Sequence, residues 1–135
     1  MKRIDTRVCN NFESGTNAKV YIKFQFNRKY CRTADLDTAH VGDVWTNDWG
    51  RGDTQVWGHQ KLDSGEHNFL GGCRDFQAKD QLKAAQVVIP IGSDAVSEWD
   101  DVEICNLKVT FGKKDQPGYS VWEWRGNGKQ NGEWK

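Results

Sequence analysis

Nine consecutive residues set the terms for this chain. From Ala18 to Phe26 an apolar side chain stands at every second position (Ala18, Val20, Ile22, Phe24, Phe26), with Lys19, Tyr21, Lys23 and Gln25 between them. A period of two is the pattern of a β-strand with one face buried and the other wet. Ile4, Thr6 and Val8 repeat it in a shorter stretch, and Asn10 to Asn17 between them is rich in turn residues. Composition points the same way. There are five Leu and one Met against 39 residues of Val, Ile, Thr, Phe, Tyr and Trp, a balance that favours pleated sheet over helix.

Further strands follow down the chain. Val87, Ile89 and Ile91 alternate, with Pro90 marking an edge or a bulge. Residues 102 to 111 are apolar at Val102 and Ile104, then at Leu107, Val109 and Phe111. The phase slips by one near Cys105-Asn106, which predicts a bulge or burial on both faces. Tyr119 to Trp124 reads as a last strand, and Gln77 to Ala85 as at most a turn or two of helix. Gly- and Asn-rich residues 126–135 read as a flexible C-terminal tail that Trp134 could pin, leaving residues 1–125 as one β-domain. Short, evenly spaced strands with turn clusters between them predict an antiparallel sandwich or barrel.

Charge and cysteine narrow the function. Nineteen basic residues cancel nineteen acidic ones, so the whole chain lacks the basic excess of a phosphate-binding protein, and no nucleic-acid partner is expected. No apolar run approaches the ~20 residues of a membrane-spanning helix. Met1-Lys2-Arg3-Ile4-Asp5 lacks the apolar core of a signal peptide, as expected either of an intracellular chain or of one starting at a mature end. Cys9, Cys31, Cys73 and Cys105 are too far apart for a zinc knuckle or a redox dithiol. Four such cysteines in a small Gly-rich chain read as two disulfides of a secreted protein. The alternative is four buried thiols in a cytosolic domain.

Residues 47 to 57 run Asn-Asp-Trp-Gly-Arg-Gly-Asp-Thr-Gln-Val-Trp. Asn47-Asp48 followed by an aromatic, then Gly52, then Trp57 resembles a signature loop of the PLAT (lipoxygenase homology) domain. Other pieces fall in the family's order: Ser14 to Ile22, similar to its Gly-Thr-Asp-Ala-x-Val segment; Leu36-Asp37; Leu70-Gly71; Val87 to Ile91; and Trp99 leading into Val102-Glu103-Ile104. The resemblance covers residues 4 to 111. It implies a sandwich of two four-stranded antiparallel sheets and a non-catalytic module that docks on lipid surfaces or partner proteins, sometimes with calcium. It also implies that the first strand runs close to a late one, so that of three possible connectivities the pairing is Cys9–Cys105 with Cys31–Cys73.

Several side chains are candidates for contact with a ligand. If Trp57 begins a core strand, as the resemblance implies, Trp45 and Trp49 lie nearer the loop, where an indole can enter an interface. Alternatively Trp49 packs inward in place of the family's Phe. Trp122 and Trp124 share parity on the last strand and either form a stacking platform for a sugar or cover the bottom of the sandwich. The resemblance assigns calcium to Gly15, Asn17, Asn47 and Asp48. Gly50 and Gln55 stand where the family often has carboxylates, so affinity is expected to be weak, and the protein works with no cofactor or with calcium alone. Arg51-Gly52-Asp53 matches an integrin-recognition tripeptide, although Gly52 already has a turn role.

Catalytic arrangements are poor. His40, His59 and His67 are scattered, none at the i, i+4 spacing of a zinc helix, and no nucleophile elbow or phosphate loop occurs. The chain therefore reads as a secreted, non-enzymatic binding module for a lipid surface or another protein. The runner-up readings are a carbohydrate-binding, lectin-like protein and a toxin or defence polypeptide.

Overall fold

Among the described residues the alternating segments form strands, and their pairings are antiparallel. The computed structural model describes residues 1–10, 20–34, 36, 40–41, 44–45, 54–57, 66–88, 103–129 and 133–134. In chain order the strands are β1 (Arg3–Val8), β2 (Tyr21–Gln25), β3 (Tyr30–Arg32), β4 (His40–Val41), β5 (Val44–Trp45), β6 (Thr54–Trp57), β7 (Ala84–Val88), β8 (Glu103–Phe111), β9 (Ser120–Lys129) and β10 (Glu133–Trp134). One four-stranded sheet has the order β6-β1-β8-β9. The second is β7-β2-β3, with the two-residue β10 added along β7. β4 and β5 make a small hairpin of their own. The described helical residues are 3-10 turns, Glu66–Cys73 and Ala78–Asp80. Among the described residues no helix is long and apolar enough to cross a membrane.

Register puts the apolar parity of each strand on one side. In the first sheet Ile4 faces Val109, Thr6 faces Leu107 and Val8 faces Ile104, all six buried. In the second, Ile22 faces Val87 and Phe24 lies between Ala85 and Cys31, again all buried. These inward sets from both sheets, with Trp57, Leu36 and Leu70, form a single hydrophobic cluster. Phe26, just beyond β2, meets the edge of Phe111 from the first sheet at 6.1 Å between ring centres. The buried Trp57 indole donates to Thr6 Oγ1 at 3.3 Å, so its one polar group is satisfied inside.

The phase slip read at Cys105-Asn106 is a bulge. β8 changes register between Ile104 and Asn106 against β9, and between Arg7 and Val8 against β1. Cys105 is the extra residue, and the bulge lets Ile104 and Leu107, three positions apart, both point inward. Here Cys105 bonds Cys9, just beyond β1, with 5.0 Å between their Cα atoms. The second cystine, Cys31–Cys73, joins edge strand β3 to the 3-10 turn at Glu66–Cys73. Both pairings are those implied by the PLAT resemblance.

That turn is pressed against the chain leaving β3. Gly71 has φ +53°, and a Cβ there would lie 2.6 Å from the Ala34 backbone nitrogen. Only glycine fits such an approach.

Three expectations change. Residues 126–135 are not simply a tail: the first four continue β9, and Glu133–Trp134 pair with Gln86 and Ala85 of β7. The strand read at 87–91 begins earlier, at Ala84, and its residues 89–91 lie outside the described set. Trp57 ends β6 rather than beginning a strand, although it is a core residue as expected.

Candidate binding surface

The sequence-derived candidates divide into two groups. Trp45 lies on β5, its backbone paired with His40, and nothing is described of its side chain. Trp49, Asn47, Asp48, Gly15, Asn17 and the Arg51-Gly52-Asp53 tripeptide lie outside the described residues.

Trp122 and Trp124 are placed. They stand opposite the buried Val109 and Leu107 on the core-facing parity of β9, and both indoles are half-buried against the hydrophobic cluster. They cover the sheet, and each indole keeps part of its surface exposed. Between them, on the opposite parity, Glu123 accepts hydrogen bonds from Arg125 Nε at 2.9 Å and Asn106 Nδ2 at 3.3 Å. These bonds, Arg125 first, hold its carboxyl below the usual value.

A surface that sequence reasoning missed lies on the outer face of the second sheet. The strand parity that buries Ile22 and Phe24 turns Tyr21, Lys23 and Gln25 outward on β2, and Tyr30 and Arg32 outward on β3. Lys23 and Arg32 are cross-strand partners, as are Gln25 and Tyr30. On the diagonals, the Lys23 ammonium lies 5.0 Å from the Tyr30 ring centre, and the Arg32 guanidinium 3.7 Å from that of Tyr21. Two cations are thus held on two rings.

The turn joining the strands carries Arg28 and Lys29, both exposed. It is braced from both sides: Phe26 N–H donates to Lys29 O at 2.7 Å, and Asn27 N–H to Asp80 O at 3.2 Å. Along this hairpin runs a shallow, open depression of about 430 Å³, lined in part by Lys23, Gln25, Arg28, Lys29 and Tyr30.

This face is mainly cationic among the described residues. Among the described residues no carboxylate lies within ion-pair distance of Lys23, Arg28 or Lys29. Asp80 is the carboxylate beside the turn, its Oδ2 accepting from Gln77 N–H at 2.8 Å. By register, Glu133 enters the same sheet opposite Gln86, which itself pairs with Lys23.

The signal was present in the sequence. Between Glu13 and Asp35 there is no acidic residue, while Lys19, Lys23, Arg28, Lys29 and Arg32 are basic. Whole-chain neutrality conceals this local stripe. Compared with known proteins, the chain matches no family model, no curated protein and no solved structure.

Proposed function

We propose that this protein is a secreted, non-catalytic binding module with a PLAT-like sandwich of two four-stranded sheets, which docks on a lipid surface or partner protein through its Trp-bearing loops. The observation that carries this reading is the cystine pattern. Cys9–Cys105 ties the end of the first strand to the late strand that the PLAT resemblance puts beside it, Cys31–Cys73 ties β3 to the 3-10 turn, and two cystines are compatible with an extracellular protein. A cross-linked frame with one core holds its loops in fixed relation, which suits recognition by loops. Trp45 and Trp49 would enter the surface, and Gly15, Asn17, Asn47 and Asp48 would supply oxygens to a weakly held calcium ion.

The test is co-sedimentation with liposomes, with calcium and with chelator, comparing the wild type with a Trp45→Ala/Trp49→Ala variant. The reading expects weaker sedimentation of the variant at an unchanged melting temperature. Loss of both together would make these indoles core residues. No sedimentation of the wild type in either condition would leave the lipid surface without support.

A further inference from the structure

The outer face of the β2–β3 hairpin concentrates cations that the rest of the chain balances elsewhere, since the net charge is zero. Lys23 and Arg32 sit side by side, and Arg28 and Lys29 lie at the tip. From Lys23 to the turn at Asn27 is about 14 Å, at about 3.4 Å per residue. The cations therefore form a stripe rather than a point.

Three features define what such a stripe holds. First, Lys23 and Arg32 are already ordered on the Tyr30 and Tyr21 rings. A side chain restricted beforehand loses less rotamer freedom on binding. Arg32 is fixed further by donating its Nε to Thr33 O at 3.1 Å. Second, the surface is a pleated sheet with a shallow depression, not an enclosed cavity. That shape suits an extended chain lying along the strands more than a small molecule that must be surrounded. Third, the cystines belong to an oxidising compartment. The negative surface potential of a membrane belongs to its cytoplasmic leaflet, so a cystine-bonded protein outside the cell meets little of it.

We infer that the outer face of the β2–β3 hairpin binds a sulfated polysaccharide, with Arg28 and Lys29 at the tip and Lys23 behind them contacting its sulfate groups. The inference rests on the extracellular reading of the cystines and is independent of the Trp-bearing loops, so either can fail alone.

The experiment measures binding of the full chain to a size-defined heparin oligosaccharide over a range of salt concentrations. The wild type is expected to bind with log affinity falling linearly with log salt, as counterions are released. Arg28→Ala/Lys29→Ala is expected to weaken binding by about tenfold or more and to lower the salt slope by about one per cation removed. Lys113→Ala/Lys114→Ala removes the same charge from the exposed β8–β9 turn of the other sheet, and is expected to change affinity by less than about twofold. All four side chains are exposed, and circular dichroism and melting temperature check that each variant folds. Three results would overturn the inference: equal losses in the two double variants, equal binding of desulfated heparin, or no binding by the wild type. So would tighter binding of phosphatidylserine vesicles or duplex DNA through Arg28 and Lys29, which would reassign the face to a membrane or a nucleic acid.

Discussion

Removing the cystine that ties β3 down should weaken the whole domain, by an amount that follows from its span. Cys31 and Cys73 are 42 positions apart and are nested within the 96 positions between Cys9 and Cys105. In the chain-entropy model, releasing a 42-residue loop in the unfolded state costs about 4 kcal/mol at 25 °C. Both cysteines are buried, and replacing them with Ala removes packed sulfur at roughly 1 kcal/mol more. Cys31→Ala/Cys73→Ala should therefore lose about 4–5 kcal/mol, a large part of the 5–15 kcal/mol typical of a domain. The outer cystine responds to nesting: with the inner bond intact only about 54 of its 96 residues remain to be constrained, so its own removal should also cost about 4 kcal/mol. Urea unfolding followed by tryptophan fluorescence measures both variants. The urea dependence should steepen, because the released chain exposes more surface when unfolded. A loss below about 1 kcal/mol with unchanged steepness would refute the reasoning, because the bond would then not be restraining the unfolded chain.

Gly71→Ala sets a Cβ 2.6 Å from the Ala34 nitrogen at positive φ, and should cost about 2–3 kcal/mol, seen as a lowered melting temperature; an unchanged one would mean that the two segments separate freely. Trp124→Ala should cost about 2 kcal/mol for a half-buried indole, and a stable variant that loses binding on a glycan array would favour the sugar-platform reading. The Glu123 carboxyl should titrate below its ordinary 4.5 by NMR, and Arg125→Ala should raise it. Because the folded value is the lower one, this residue's contribution to stability is present above the unfolded value and is lost as pH falls through the folded one. A Glu123 titration unmoved by Arg125→Ala would place the cause elsewhere.

Much of the framework was legible because burial writes itself into parity. Ile4, Thr6 and Val8 read as β1, and the broken parity at Cys105 left a bulge or burial on both faces, of which the register shows the bulge. β10 was not legible: the Gly-Asn-Gly sequence before it carries no alternation, and its pairing with β7 depends on where β9 delivers the chain. At three residues, β3 was too short to show a period. For Trp122 and Trp124, parity said that they share a face; only pairing with Val109 and Leu107 said which face. The cationic face was overlooked for a different reason. Net charge averages over the chain, whereas a hairpin brings Lys23 beside Arg32, nine residues away in sequence.

The bulge at Cys105 also constrains how this chain can change over generations. Because it is one residue more than regular pairing needs, deleting it would reverse the sidedness of everything on one flank: either Ile104 or the set Leu107, Val109 and Phe111 would turn to water. Replacement by another small side chain would forfeit only the covalent tie. Descendants that abandon this cystine are therefore expected to keep a residue at position 105, and to retain the insertion as a fossil of the bond.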